Sequence, residues 1–460
     1  MDANELPFQK ADFGEGFAWG ATLSAFQAEG ACNIEGKGED IWHRFTANGR
    51  RVKDKTNAFQ ACDFYNRYPH DLGILNSMGM GHFRFSIAWS RILPTGEGLL
   101  NPKGVAYYDR VIDTCLSLGI EPWVTLYHWD LPYALHQYGG WTNRRILDAF
   151  SHYADVIARL YGDRVKRWIV LNEPSAFTAL GYLVGYHAPG KLGMDNFMKA
   201  LHHALLASAD GYRILKAHSP KAEVGNSYSC FHVTPASDRP QDVKAAHVAE
   251  TIFNRLYVEP SLGLGYPVKD VPALQPIEKL FKPGDEQRLV FTPDFVGVQN
   301  YTRQVVKHSR WVPFVGLTTE SPRKKGLPVT EMGWEVYPEG IYHSLKFFAA
   351  YPGVNKLYVT ESGVAYPDVV QNGRVHDSNR IAYFRDYLAQ TLRAKREGVP
   401  VEGYLVWSLL DNFEWVEGYK PRFGLVHVDF HTQERTLKDS GYWFRQLLTG
   451  EPMPPGSFVG

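Results

Sequence analysis

Cysteine is scarce in this sequence, and the few cysteines stand far apart. The 460 residues contain four of them, and no two form a CxxC pair. This spacing indicates neither a zinc site nor a disulfide framework. We therefore expect free, buried thiols in a reducing compartment, at Cys32, Cys62, Cys115 and Cys230.

An excess of charge of one sign is also lacking. Lys and Arg together number 49, as do Asp and Glu, so the formal net charge is zero. Nucleic acids and anionic membranes both require a basic surface on the proteins that bind them. We therefore expect neither as a partner, and the sequence leaves assembly into a homo-oligomer open.

Long apolar runs are missing as well. No stretch is long enough to span a bilayer, and the segment from Met1 to Pro7 has no basic part followed by an apolar part. The sequence therefore predicts neither a transmembrane helix nor a signal peptide. A cytoplasmic location is the resulting expectation.

Aromatic residues, in contrast, are abundant, with 12 Trp, 26 Tyr and 26 Phe. Such rings can fill a core, or they can pack against the C–H face of a sugar. Composition does not choose between these two uses.

Eight apolar, strand-like segments alternate with helical stretches along the chain. This alternation predicts an α/β fold, a single (β/α)8 TIM barrel over residues 1–460, whose strands are buried on both faces. The longest irregular stretches, 264–292 and 302–338, are expected to be elaborated βα loops that wall a cleft. Asn101 and Pro102 are typical of an N-cap and a first helical residue. The predicted strands are Phe17–Leu23, His82–Ile87, Glu121–Leu126, Arg167–Leu171, Ala222–Tyr228, Phe295–Gln299, Lys356–Thr360 and Val401–Trp407.

Two of these apolar strands lead directly into a glutamate. Glu173 follows the fourth strand, and Glu361 follows the seventh. Charged residues rarely end apolar strands without a partner, and the C-terminal ends of barrel strands are where active sites lie. Two carboxyl groups so placed can split a glycosidic bond, one as the acid and one as the nucleophile.

Other polar and aromatic residues follow the strands in the same way, so all would meet at one mouth of the barrel. Taken singly, most have a structural explanation: a lone histidine can be a satisfied core residue, an arginine a barrel salt bridge, and a tryptophan part of the core. Their convergence favours a site. They are Gln27, Arg84, His128, Asn172, Tyr301, Trp407, Glu414 and Trp415.

Several long motifs occur in the order known from family 1 glycoside hydrolases, the β-glucosidase family, and the chain resembles that family over nearly its whole length. The matching stretches include 17–22, 83–91, 126–132, 172–174, 360–361 and 403–429. The resemblance implies a retaining exo-acting β-glucosidase that releases terminal glucose, with some tolerance for galactose or fucose, and that needs no metal or cofactor.

The resemblance also implies a role for each residue. Glu173 resembles the general acid/base and Glu361 the nucleophile, with Arg84 and Tyr301 as its neighbours. The residues that resemble those holding the sugar hydroxyls are Gln27, His128, Asn172, Glu414 and Trp415. Trp407 resembles the platform under the sugar, and Trp334 an aromatic wall of the leaving-group site. A retaining mechanism predicts that the two carboxyl groups lie about 5–5.5 Å apart.

The implied mechanism requires opposite protonation states for Glu361 and Glu173. The nucleophile must be ionised, so Arg84 beside Glu361 is expected to lower its pKa. The acid must hold a proton near neutral pH, so Glu173 is expected to have a raised pKa in a drier setting.

The sequence departs from the usual family pattern at three places. Ser362 replaces the usual Asn after the nucleophile, Gln299-Asn300 replaces Asn-Tyr before Tyr301, and Ser229 stands where Asn is common. These positions line or support the site, so they bear on specificity and leave both carboxyl groups in place.

The sequence bears on three alternative functions. Relatives acting on 6-phosphorylated sugars carry Ser and Lys in the loop after the eighth strand, where this chain has Glu417, which disfavours a phosphate. A transglycosidase that uses an alcohol acceptor is left open. A non-catalytic sugar-binding barrel is disfavoured because both glutamates are present.

Overall fold

The protein is described by a computed structural model that covers residues 7–47, 49–312 and 315–454. Eight parallel strands close into a barrel, in which each strand pairs with the next along the chain and the eighth pairs with the first. All eight lie within two residues of the predicted bounds, so the predicted barrel is confirmed. They are β1 Ala18–Leu23, β2 His82–Ser86, β3 Glu121–Tyr127, β4 Arg167–Asn172, β5 Glu223–Ser229, β6 Phe295–Gln299, β7 Leu357–Ser362 and β8 Val401–Trp407.

One long helix follows each strand. They are α1 Phe64–Ser77, α2 Pro102–Ser117, α3 Ile146–Tyr161, α4 Met194–His218, α5 Pro240–Glu250, α6 Glu339–Ala349, α7 Ser378–Arg396 and α8 Asp439–Thr449. Shorter α-helices are Ala25–Ala28, Ile41–Thr46, Trp89–Ile92, Tyr133–Gln137, Pro174–Thr178, Leu256–Val258 and Asp285–Leu289. The remaining turns are the 3-10 helices Lys10–Phe13, Gly140–Thr142, Pro272–Leu280, Pro322–Lys325 and Trp415–Glu417, and the π-helices Ala179–Leu183 and Thr251–Arg255.

The strands are apolar because each is covered on both faces, by the barrel interior and by the outer helices. Toward the lower end of the barrel, the interior is filled by an apolar cluster that includes Trp123, Ile169, Phe295, Tyr358 and Leu405. The opposite, C-terminal end of the interior holds buried charged and polar side chains, among them Arg84, Asn172 and Glu361. This division places the candidate site at the C-terminal mouth, as in other barrels of this type.

Only one of the two long irregular stretches lines the cleft. Stretch 302–338 contains the strands Arg303–His308 and Leu317–Thr319, which join His232–Pro235 in a small three-stranded sheet beside the mouth. Its residues Thr302, Gln304, Met332 and Trp334 line a cavity at the mouth of the barrel, so this stretch walls the cleft as predicted. Stretch 264–292 contributes no lining residue, although all of it is described. Two further hairpins pair Val370–Gln371 with Arg374–Val375 and Val426–Val428 with Arg435–Leu437.

Asn101 and Pro102 are the N-cap and the first residue of α2, as predicted. The Asn101 side chain makes no cap hydrogen bond to the helix. Instead, Nδ2 of Asn101 donates to the backbone oxygens of Glu35 and Arg91, at 2.8 and 3.0 Å. Over the described part of the chain, no helix is both long and apolar enough to cross a membrane.

Candidate active site

A cavity of about 330 Å³ lies at the C-terminal mouth of the barrel. Eight of the predicted site residues line its wall: His128, Glu173, Tyr301, Trp334, Glu361, Trp407, Glu414 and Trp415. The other three, Gln27, Arg84 and Asn172, are fully buried and hydrogen-bonded to groups of the wall. The structure therefore brings together all of the residues that the sequence singled out.

Glu361 is held by two donors. Arg84 Nη1 donates to one carboxylate oxygen at 2.6 Å, and the Tyr301 hydroxyl donates to the other at 2.7 Å. Burial raises the pKa of Glu361 above its ordinary value, while the positive charge of Arg84 and the Tyr301 donor oppose that rise. Arg84 lowers the pKa of Glu361, as expected, but the opposing effect of burial is larger.

Glu173 has much weaker support for its charged form. Burial, followed by the negative charge of Glu361, raises the pKa of Glu173 to about 8, and a hydrogen bond from the Ser229 side chain opposes the rise. Its backbone donates to the Ser227 carbonyl at 2.8 Å, which ties the residue to β5. The predicted raised pKa of this carboxyl group agrees with its setting.

The two carboxyl groups therefore differ in the way that acid and nucleophile must differ. Glu361 faces a guanidinium and a phenol, whereas Glu173 faces the charge of Glu361 and one hydroxyl. A single proton shared by the pair rests on Glu173, because ionised Glu361 is better stabilised. At neutral pH this gives one carboxylate and one carboxylic acid at the same cavity.

A third carboxyl group, that of Glu414, lies at the same wall. Burial and the charge of Glu361 raise its pKa to about 8. Gln27 Nε2 donates to Glu414 at 3.4 Å, to Asn412 at 3.2 Å and to the Phe413 carbonyl at 3.0 Å. The Gln27 amide thereby fixes the loop that follows β8, and the carboxyl oxygens of Glu414 remain able to accept hydrogen bonds from a sugar.

Aromatic rings form a continuous floor beside these groups. Trp415 stacks on Trp129 with centroids 4.5 Å apart and on Phe26 at 5.8 Å. The His128 ring is nearly parallel to Trp407 at 6.0 Å. Such faces match the apolar C–H face of a pyranose, whose hydroxyls then point to the polar rim.

Three residues of this site have a strained backbone. Trp129, Glu173 and Trp415 have φ angles of 79°, 44° and 48°, in the left-handed region that non-glycine residues rarely adopt. Each such residue costs on the order of 1–3 kcal/mol, and strain of this kind clusters at functional sites. These three residues are the candidate acid, Glu173, and two aromatic residues of the floor, Trp129 and Trp415.

The three departures from the family pattern have different consequences. The Ser362 hydroxyl lies 3.1 Å from that of Tyr383, in the core behind the nucleophile. Asn300 Nδ2 donates to the Cys230 and Thr302 carbonyls and supports the backbone around Tyr301. Ser229 alone of the three serves the cavity directly, because it lines the wall beside Glu173.

Sequence reasoning gave no site role to several residues that the structure brings to the cavity. Phe423 lies inside a motif that was recognised, so a signal existed. Leu180, Phe231 and Met332 carry no sequence signal, because their position depends on loops. Among residues 7–47, 49–312 and 315–454, no three His, Cys, Asp or Glu side chains are grouped so that they could hold a metal ion.

The chain matches known proteins over almost its whole length. The family model of Glycosyl hydrolase family 1 matches residues 9–452. Beta-glucosidase A of Thermotoga maritima is 42% identical over 439 residues, covering 95% of this chain and 97% of that protein. The 1,4-beta-D-glucan glucohydrolase of Thermotoga neapolitana is 41% identical over 438 residues, covering 95% and 98%. A solved family 1 β-glucosidase from Thermotoga maritima has a TM-score of 0.91 at 41% identity, covering 94% of this chain and 97% of that one. The chain therefore belongs to glycosyl hydrolase family 1.

Proposed function

We propose that the protein is a retaining, exo-acting β-glucosidase that removes terminal β-D-glucosyl residues from oligosaccharides or from aryl and alkyl β-glucosides. The observation that carries this proposal is the asymmetry of the two buried carboxyl groups: Glu361 accepts hydrogen bonds from Arg84 and Tyr301, whereas burial and the charge of Glu361 raise the pKa of Glu173. The names of the relatives support the same activity.

The proposed reaction has two steps. Glu361 attacks the anomeric carbon while Glu173 gives its proton to the leaving oxygen, which breaks the glycosidic bond. Glu173, now ionised, takes a proton from water, and the resulting hydroxide displaces Glu361, so the configuration is retained. The carboxyl separation of about 5–5.5 Å that this mechanism requires stays a prediction.

Other residues are proposed to position the sugar. Trp407 forms the platform and Trp334 the wall of the leaving-group site. Arg84 and Tyr301 hold the nucleophile. Residues proposed to bind the hydroxyls are Gln27, His128, Asn172, Glu414 and Trp415, whose rings and amides converge on the cavity.

A non-phosphorylated sugar fits this cavity best. Glu417 lines it, accepts a hydrogen bond from the Tyr186 hydroxyl at 3.0 Å and pairs with Lys53 at 2.7 Å. A carboxylate has no proton to donate to a phosphate, and the Lys53 ammonium is already directed at that carboxylate. We therefore propose that the 6-hydroxyl of the substrate is unmodified.

Domain organisation and location are also proposals. One domain is supported by the main apolar core, whose buried residues run from Phe8 to Leu448; residues 1–6 and 455–460 lie outside the described residues. A cytoplasmic location is supported by the four cysteines, which are all free and buried. The sequence left assembly into a homo-oligomer open, and sedimentation of the purified protein would test it.

Trapping of the covalent intermediate tests the proposed function. Incubation with an activated 2-deoxy-2-fluoro-β-glucoside is expected to leave a sugar on the peptide containing Glu361, because the fluorine slows the second step. Intact-protein and peptide mass spectrometry would detect it. An adduct on another residue would contradict the mechanism. No adduct, in folded protein, would contradict glucose as the sugar if the fluoro-galactoside or fluoro-fucoside labels Glu361 instead.

The pH dependence of kcat/KM is expected to be bell-shaped. Activity should rise with pH as Glu361 ionises and fall through about pH 8 as Glu173 loses its proton. Ser229→Ala removes the hydrogen bond that lowers the pKa of Glu173, so the alkaline limb should move to higher pH. Initial rates across pH for both proteins would measure this, and an alkaline limb that stays or moves down would refute the assignment.

A further inference from the structure

The orientation of the Asn172 side-chain amide follows from its neighbour Arg84. A guanidinium can only donate hydrogen bonds, and Arg84 Nη2 lies 2.5 Å from one atom of the amide. That atom must therefore be the oxygen, Oδ1. The amide nitrogen then points to the opposite side, where it lies 3.0 Å from His128 Nε2.

Gln299 donates to the same oxygen. Its Nε2 lies 2.7 Å from Asn172 Oδ1, and both side chains are fully buried. Its own Oε1 finds no hydrogen-bond partner, although it is buried. A buried oxygen without a hydrogen-bond partner costs free energy. The Gln299 side chain therefore contributes through its NH2 group, which donates to Asn172. Sequence comparison with the family pattern marked Gln299 only as a departure.

The same hydrogen bonds also determine the protonation state and the tautomer of His128. Because Asn172 Nδ2 can only donate, His128 Nε2 must accept, so the imidazole is neutral and carries its proton on Nδ1. Burial and the charge of Arg84 both lower the pKa of His128 well below its usual value, which agrees with a neutral ring. A continuous network of hydrogen bonds thus runs from Arg84 and Gln299 through Asn172 to His128.

We propose that Gln299 is a positioning residue that, together with Arg84, locks the Asn172 amide with its NH2 group toward His128 and the 2-hydroxyl of the sugar. Gln299 itself touches no substrate. This inference rests on the proposed function, in which Asn172 binds that hydroxyl. Without Gln299, one lone pair of the buried Asn172 oxygen loses its partner and the amide is freer to rotate.

The test compares two substrates that differ only at the 2-hydroxyl. Gln299→Leu should lower kcat/KM for 2,4-dinitrophenyl β-glucoside about tenfold, the equivalent of one lost buried hydrogen bond. For the 2-deoxyglucoside with the same leaving group, the loss should be about twofold or less, because the positioned group has no hydroxyl to bind. Gln299→Asn keeps a shorter amide and should restore part of the loss.

Gln304→Leu is the matched control, since Gln304 lines the cavity but is outside this hydrogen-bond network. It should leave the glucoside to 2-deoxyglucoside ratio at the wild-type value. Equal losses on both substrates in Gln299→Leu, or the same change of ratio in the control, would overturn the proposal. Wild-type activity on the glucoside reports the proposed function separately.

A second readout needs no substrate and therefore no activity. In ¹⁵N-labelled wild-type protein at pH 7, His128 Nε2 should resonate as an unprotonated nitrogen, assigned by its loss in His128→Gln. In Gln299→Leu, only Arg84 still holds the Asn172 oxygen, so a minor population with a protonated Nε2 should appear. A protonated Nε2 in the wild-type protein, or an unchanged tautomer in the variant, would overturn the proposal.

Discussion

Glu361→Gly is expected to lower kcat for aryl β-glucosides by on the order of 10⁴-fold to 10⁶-fold, as removal of a catalytic nucleophile does elsewhere. The variant has no group to form the covalent intermediate, while Arg84 and Tyr301 lose the carboxylate to which they donate. Steady-state rates with a nitrophenyl glucoside, alongside a melting curve, would measure the loss in folded protein.

A small anion should rescue this variant. Azide can enter the space left by the carboxylate, next to the Arg84 guanidinium, and attack the anomeric carbon from the same side. The product would be α-glucosyl azide, of inverted configuration. Glu335→Gly is the matched control, because Glu335 pairs with an arginine, Arg303, as Glu361 pairs with Arg84; azide should not accelerate it. A loss below tenfold in Glu361→Gly, or no rescue in folded protein, would exclude Glu361 as the nucleophile.

The barrel and the two glutamates could be predicted because their signals are local. An apolar strand and the carboxylate that ends it are adjacent in sequence, and the geometry of a closed parallel barrel brings all such ends to one mouth. Glu173 and Glu361 are 188 positions apart in the chain, yet each needed only its own strand to be recognised.

What could not be predicted depends on contacts between distant segments. Asn101 is the N-cap of α2, as its sequence context predicts, but its side-chain amide binds two carbonyls that only the fold brings near. The donor role of Gln299 depends on a residue of another strand, Asn172. The net pKa of Glu361 depends on the balance between burial and two donors, and a sequence carries no measure of burial.

Glu173→Gln is expected to have an effect that depends on the leaving group. For alkyl β-glucosides, kcat/KM should fall about 10²-fold to 10⁴-fold, the usual contribution of general acid catalysis. For 2,4-dinitrophenyl β-glucoside the fall should be small, because dinitrophenolate leaves without a proton. The substitution keeps the size of the side chain, so the difference between the two substrates reports the proton alone. Glu417→Gln, at another carboxyl group of the cavity wall, should leave the ratio of the two kcat/KM values unchanged.

The two steps of the mechanism must be separated for this comparison to be decisive. Glu173 also acts in the second step, where it takes a proton from water, so kcat for the dinitrophenyl substrate should fall even though the first step does not. Since kcat/KM reports only steps up to the first irreversible one, it isolates the attack by Glu361. A burst of dinitrophenolate equal to the enzyme concentration should then precede slow turnover. Equal losses of kcat/KM on alkyl and dinitrophenyl glucosides, without a burst, would show that Glu173 is not the acid.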